Sequence, residues 1–352
     1  MDGMNRVANL DALYDAFQKC KKGSDWKESV QKYEAHLWEN LLQTRRELLT
    51  GTYRQKPFVE FYIWERGRKR LIKSIHISDR VVQRSLCDNV LTPLVEAKLI
   101  YDNGASREGM GPDFTRRRVA AHLQSYFDRY GTNQGSVIET DYKGYFDSLV
   151  HDILVADYRR LIPWRDICNL VEYLVRVNPG EVGVGIGAQL SQNAGIFYTT
   201  PIDQYFKTVR GVKFYDAFMD DRLMVVRDRG EARELLQEFR ERSAMRGLTV
   251  SEKKTHISRL EDGFTFLKTR FQLTQSGKVI MTSDKSAFIR ERRRLKKFKQ
   301  IGMDPQHALN CYRSWRGTVE RHPENRERVR RMDELFCSLF PGMEIMQKEN
   351  AT

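Results

Sequence analysis

The sequence is poor in several features whose scarcity narrows what it can be. Its five cysteines, Cys20, Cys87, Cys168, Cys311 and Cys337, stand far apart with no Cys-x-x-Cys pair. Neither a disulfide framework nor a zinc site is expected from them, only free thiols in a reducing compartment. No apolar run approaches the roughly 18 residues that a membrane-spanning helix needs, so no membrane partner is expected. The opening MDGMNRVANL lacks the apolar core of a secretory signal, and the expected location is the cytoplasm. Internal repeats and low-complexity tracts are missing too.

What is plentiful is positive charge. Sixty Lys and Arg against 47 Asp and Glu leave a net charge of +13 over 352 residues. A surface this basic attracts phosphates and predicts a polyanionic partner. The length suffices for two or three subdomains with a substantial core, more than an isolated binding module needs.

Periodicity gives a coarse order of elements. Residues Ala8 to Leu49 read as two helices broken near Gly23-Ser24-Asp25, with Leu37, Leu41, Leu42 and Leu48 as a stripe. Phe58 to Trp64 and Lys69 to Ile75 read as a basic hairpin turning through Arg66-Gly67-Arg68. A helix is expected from Asp79 to about Leu91, with Pro93 ending or kinking it. Further helices are expected at Phe114 to Phe127, His151 to Leu161 and Gly230 to Met245. From Asp284 the chain turns helical and basic: Lys285 to Ile301 holds eight Lys and Arg against the single acid Glu291. Such a face suits phosphate contact. Helices around Pro305 to Trp315 and Glu324 to Phe340 complete a small bundle.

Two apolar segments carry acids. In KFYDAFMDDRLMVVRD, Lys213 to Asp228, the adjacent Asp220 and Asp221 sit between apolar runs that read as strand, tight turn, strand. In SVIETDYKGYFDSLV, Asp141 follows Val137-Ile138. Two unit charges about 4 Å apart repel by roughly 4 kcal/mol at an effective dielectric near 20, so clustered carboxylates at a sheet end call for a counter-ion. If the segments lie side by side, Asp141 and Asp220 are placed to clamp two Mg²⁺ about 3.5 to 4 Å apart, with Asp221 supporting the shell. Taken alone, paired acids in a turn are commonly a solvated loop.

The other motifs, in order, give the acids a context. Phe218-Met219-Asp220-Asp221 resembles the YMDD-type box of reverse transcriptases, and Asp141-x-x-x-Tyr145-Phe146-Asp147 resembles their first catalytic motif. RLIKSIHISDRVVQ, Arg70 to Gln83, resembles the first fingers motif of group II intron and related enzymes. Ser106-Arg107-Glu108-Gly109-Met110-Gly111 resembles the second motif. Gly247 to Thr255 is similar to a GLxxxxKT motif, and Phe264 to Lys268 to an FLG-type primer grip with Lys268 where many relatives have glycine. Most members have glutamine-glycine, three variable residues, then serine-proline. Here Ile186-Gly187-Ala188-Gln189-Leu190-Ser191-Gln192 departs at both ends, and this GxxxSQ form resembles the reverse transcriptases of diversity-generating retroelements.

The resemblance, which covers roughly Phe58 to Phe271, implies an α+β right-hand polymerase fold. It places N-terminal helices and fingers in 1–136, an antiparallel-sheet palm in 137–282 and a helical basic thumb in 283–352. The implied catalytic and metal residues are Asp141, Asp220 and Asp221. Arg70, Arg80 and Lys69 are candidates for the incoming triphosphate, or for template backbone instead. Phe146 would lie under the sugar and exclude a ribose 2′-hydroxyl; Ile186, Gly187 and Gln192 would flank the nucleotide. Lys254, or Lys253, would approach the pyrophosphate. Arg107, Lys268, Arg290, Arg293, Arg294 and Lys297 would touch nucleic acid. An aliphatic Ile186 removes a hydrogen-bonding group, and losing one such bond, about 1 kcal/mol, weakens selectivity several-fold. The implied partners are a template RNA, cDNA primer and product, deoxynucleotides and a small basic accessory protein, in a bacterial or phage-encoded element. Two alternatives stay open: a retron or phage-defence reverse transcriptase, and a catalytically idle RNA-binding scaffold.

Overall fold

The computed structural model describes residues 3–65, 68–185 and 187–345, and the chain mixes helix and sheet. A short helix, Gly3–Val7, opens the chain, and the stretch expected as two helices forms three: Leu10–Lys21, Glu28–Ala35 and Leu37–Thr50. One break falls where the Gly23-Ser24-Asp25 signal placed it. The other comes at His36, whose φ of −122° and ψ of 40° leave the helical region. Strands β1 (Val59–Glu65) and β2 (Arg68–Ser74) then pair antiparallel, from Val59↔Ser74 to Glu65↔Arg68.

The break expected at Pro93 takes another form. The helix Ile77–Leu86 runs into a π-helical turn, Cys87–Leu91, in which Thr92 N–H donates to Cys87 O. Pro93 then falls in the first turn of the next helix, Thr92–Glu96, where its missing N–H is not needed.

A four-stranded sheet contains β3 (Ser136–Thr140), β4 (Phe214–Phe218), β5 (Asp221–Val226) and β6 (His256–Arg259), in the order β4-β5-β3-β6. All five residues of β3 are buried, as are most of β4 and β5. That is why these strands read as continuous apolar runs rather than alternating ones. Strands β7 (Phe264–Phe266), β8 (Thr269–Leu273) and β9 (Val279–Ser283) form a separate antiparallel sheet, of which only the first was foreshadowed by a motif.

The chain divides into two compact units, Met1–Thr115 with Ile138–Met224 and Gly230–His256, and Arg116–Val137 with Val225–Arg229 and Ile257–Thr352. In the second, the helices Lys285–Gln300, Pro305–Val319 and Arg326–Leu339 enclose Leu295, Leu309, Tyr312, Met332 and Phe336. Asn325, fully buried, ties this bundle to β9: its Nδ2 donates to Ser283 Oγ at 2.9 Å and to Val319 O at 2.8 Å.

The turn between β7 and β8 is unusual. Leu267 and Lys268 both adopt positive φ, +47° and +62°, the geometry of a two-residue type I′ hairpin that asparagine and glycine normally fill. Arg116 Nη2 donates to Leu267 O at 2.8 Å and holds the turn. Left-handed backbone costs an L-residue about 1 to 2 kcal/mol, against about 0.5 to 1 kcal/mol of extra chain entropy for glycine. Lys268→Gly is therefore expected to raise stability by up to about 1 kcal/mol and Lys268→Val to lower it. Urea denaturation of the three proteins checks the order.

Candidate active site

The site belongs to the first unit and is built from backbone outward. Asp141 follows directly on β3, and the segment 249–255 runs alongside it. Lys143 N donates to Thr249 O (2.8 Å), Ser251 N to Asp141 O (2.8 Å), and Asp141 N to Thr255 Oγ1 (3.3 Å). This pairing delivers Lys254, whose Nζ lies 2.6 Å from Asp141 Oδ2. The β4–β5 hairpin turns through Met219 and Asp220, and Met219 is held at φ +52°, in the left-handed region. Asp220 and Asp221 thus stand at the hairpin tip.

Arg222 fixes that tip from behind. It is 1% exposed, as is Asp203, and its Nε donates to Asp203 Oδ1 at 2.7 Å and its Nη2 to Asp203 Oδ2 at 3.2 Å. The same guanidinium donates to Thr199 Oγ1 and to the carbonyls of Met219 and Asp221. Tyr215 Oη adds a 2.6 Å bond to Asp203 Oδ1. Burial disfavours the charge on Arg222, but Asp203 facing it keeps the guanidinium's pKa above its ordinary value. A positive-φ turn is thereby locked to the helix Thr200–Gln204 by a saturated ion pair.

The electrostatics show that the acids form one cluster. Burial, then the charges of Asp220 and Asp141, push the Asp221 carboxyl up to about 7. Burial also raises Asp220, with Asp141 adding to it. Lys254 is raised chiefly by its hydrogen bond to Asp141, and both hairpin acids reinforce the shift. Asp141 Oδ1 is buried and has no hydrogen-bond partner among the described residues. An acceptor-only oxygen beside two acids whose carboxyls burial and like charge push upward suits a hard divalent cation, so the donor set fits the expected metal.

The remaining sequence-derived candidates are distributed as follows. Lys69 is exposed with its Nζ 3.9 Å from the centroid of Tyr62. Arg70 lies on β2, paired with Ile63 in the register, but its side chain and the whole of Ile186 lie outside the described residues. Arg80 sits on Ile77–Leu86, where its charge acts on the Cys20 thiol. The Phe146 ring packs against Gly195 of the helix Gln189–Tyr198, where an added methyl would come within 2.9 Å of it. Gly187 has φ +108° with open space around it, and Gln192 is the exposed residue of an otherwise mostly buried helix. Arg107 spends its Nη1 on the carbonyls of Asn103 (2.9 Å), Ile100 and Tyr101 (both 3.4 Å). In the second unit, Arg290, Arg293 and Lys297 form an exposed i, i+3, i+7 stripe, and Lys268 is exposed at its turn. Arg294 is bound internally, to Glu291 (2.7 Å) and Cys311 O (3.0 Å).

Asp141, Asp220, Asp221 and Lys254 are thus the candidates brought together. Arg222, Asp203, Thr199 and Gly195 were not singled out in the sequence. Their signals were there: an arginine entering an apolar strand needs a buried partner, and a glycine inside an apolar helix marks close packing.

A sequence model of the family described as reverse transcriptase (RNA-dependent DNA polymerase) matches residues 64–276. No curated protein matches the chain.

Two expectations come from this geometry. Breaking a buried pair by removing one partner costs about 3 to 5 kcal/mol. Arg222→Met and Asp203→Leu should each lose that much, while the double variant loses clearly less than the sum, as a denaturation cycle will read. For Asp221, a folded pKa near 7 lies above the unfolded value of 3.8. Its stabilising contribution is present below pH 3.8 and lost as pH rises through 7. Metal-free protein should accordingly lose thermal stability across that window, Asp221→Asn should lose less, and Mg²⁺ should restore wild type more than the variant.

Proposed function

The chain belongs to the reverse transcriptases, the RNA-dependent DNA polymerases, and on that premise we propose that it copies a retroelement template RNA into error-prone cDNA by two-metal nucleotidyl transfer. The observation that carries the mechanism is that Asp220 and Asp221 lie close enough to Asp141 for their charges to act on one another, while Asp141 Oδ1 is buried with no hydrogen-bond partner among the described residues. Reverse transcriptases work on template nucleic acid and deoxynucleotides with divalent metal. In this reading residues 1–136, 137–282 and 283–352 serve as fingers, palm and thumb. Among the described residues no helix is long and apolar enough to cross a membrane.

Asp141 and Asp220 would hold two Mg²⁺, with Asp221 completing the shell. The bound ions would activate the primer hydroxyl and neutralise charge developing on the transferred phosphate. The chain's own part is placement. Arg222 and Asp203 hold the hairpin tip in one geometry, so no reorganisation is needed when substrate arrives. Lys254 supplies positive charge beside Asp141 and would meet the departing pyrophosphate. Lys69, Arg70 and Arg80 would grip the triphosphate, and Phe146 would lie under the sugar. The exposed stripe of Arg290, Arg293 and Lys297, with Lys268 and Arg107, would track nucleic-acid backbone.

The retroelement assignment is supported by the GxxxSQ form at Gly187 to Gln192, with Ile186 in place of a polar side chain; a small basic accessory protein belongs to this reading. Primer extension on an RNA template tests both levels. Asp220→Ala should lose extension by on the order of 1,000-fold, the scale of several kcal/mol of transition-state stabilisation. Product sequencing should find wild-type errors concentrated opposite template adenine, and Ile186→Gln should reduce them several-fold. An even spectrum unchanged by that substitution would remove the mutagenic assignment and favour the retron or phage-defence type. An active Asp220→Ala would remove the mechanism.

A further inference from the structure

Between the helices Arg165–Arg176 and Gln189–Tyr198 the chain passes through Pro179-Gly-Glu-Val-Gly-Val-Gly, a composition that by itself predicts a loose loop. Its backbone is nevertheless fixed. His151 N donates to Glu181 O at 2.9 Å, Gly183 N to Leu149 O at 2.8 Å and Val184 N to Phe146 O at 2.9 Å. Val150 and Val182 form an antiparallel bridge. The loop is thus registered, residue by residue, on the turn that carries Phe146.

Two side chains complete the attachment. His151, 1% exposed, places Nε2 2.7 Å from Gly183 O, and since a carbonyl only accepts, that nitrogen carries the proton. Further along, Asn178 Oδ1 accepts from Gly185 N at 2.9 Å, while its Nδ2 donates to Val175 O at 3.0 Å and Leu174 O at 3.4 Å. Gly183 itself admits no larger residue cheaply, with φ +91° and an added methyl 3.2 Å from Asp147 O. The tethers reach Gly185; at Gly187 there is open space.

We infer that His151 and Asn178 are positioning residues that set the separation between the Phe146 ring and the start of the helix bearing Gln192, and through it the discrimination of deoxynucleotides from ribonucleotides. They touch no substrate. The inference rests on the proposed placement of Phe146 and Gly187–Gln192 about the nucleotide. A gap that must admit a hydrogen but not a hydroxyl at the sugar tolerates little displacement, and misplacement of about 1 Å is enough to change rates by orders of magnitude.

The test is single-nucleotide incorporation by the full chain on a primed RNA template, with kcat and KM measured for matched deoxy- and ribonucleotides. His151→Leu removes the donor and His151→Gln keeps an Nε2 amide in its place. Asn178→Ala removes the acceptor and Asn178→Asp keeps it. The Leu and Ala variants should raise KM for the deoxynucleotide about five- to twentyfold with kcat within about twofold, and cut the deoxy-to-ribo ratio of kcat/KM at least about fivefold. The Gln and Asp variants should return to within about twofold of wild type. Unchanged KM and ratio, or a loss confined to kcat, overturns the inference. If buried His151→Leu does not fold, the half-buried Asn178 pair decides alone. Phe146→Ala, run alongside, separates the two levels. If it abolishes sugar discrimination while the Leu and Ala variants do not, only the clamp fails; if it too leaves discrimination intact, the placement of Phe146 fails with it.

Discussion

The buried pair between Arg222 and Asp203 is the constraint on which the site depends. Both residues are almost wholly out of water, and the guanidinium is saturated by a carboxylate, a threonine hydroxyl and two carbonyls of its own hairpin. An ion pair in such a place is seldom a net source of stability, because desolvation offsets most of the attraction. What it gives is one defined conformation. The left-handed backbone at Met219 is unfavourable in isolation, and the arginine bonded to the carbonyls of Met219 and Asp221 keeps it there.

The three aspartates depend on that fixity because they repel one another. Burial and their mutual repulsion together keep Asp221 poised near pH 7, while Lys254 makes a direct ion pair with the Asp141 carboxylate. An ammonium balances one charge of three. The cluster therefore keeps negative charge that Lys254 does not balance, and the energy of assembling it comes from elsewhere in the fold: from the buried strands and the arginine behind the tip.

How much of this could be read in advance differs by residue. The grouping of Asp141, Asp220 and Asp221 was legible because carboxylates set next to apolar strands are a pattern visible over a few positions, and Lys254 because it stood in a motif. Arg222 stood in the same stretch and was passed over, since its partner Asp203 lies 19 residues away and only folding brings them together. Hairpins were anticipated at β1–β2 and β4–β5, where apolar runs flank short turns. Those at β7–β8 and β8–β9 were missed, because apolar and polar residues alternate along β7 and β8. Pro93 misled because a π-helical turn can absorb what a regular helix cannot. The clamp on the 179–185 loop was invisible for the opposite reason: its glycines and proline speak of freedom, while the restraint lies in backbone bonds and in His151 and Asn178, common residues with no motif around them.

The contact between Phe146 and Gly195 has a bearing on which substitutions the chain accepts. Helix Gln189–Tyr198 accepts a glycine in its middle, a choice that weakens a helix by about 1 kcal/mol, because the aromatic ring fills the space a side chain would use. The two positions are a knob and its socket, written 49 residues apart. A substitution that shrank the ring would free position 195 to take a side chain, so each position limits what the other can become.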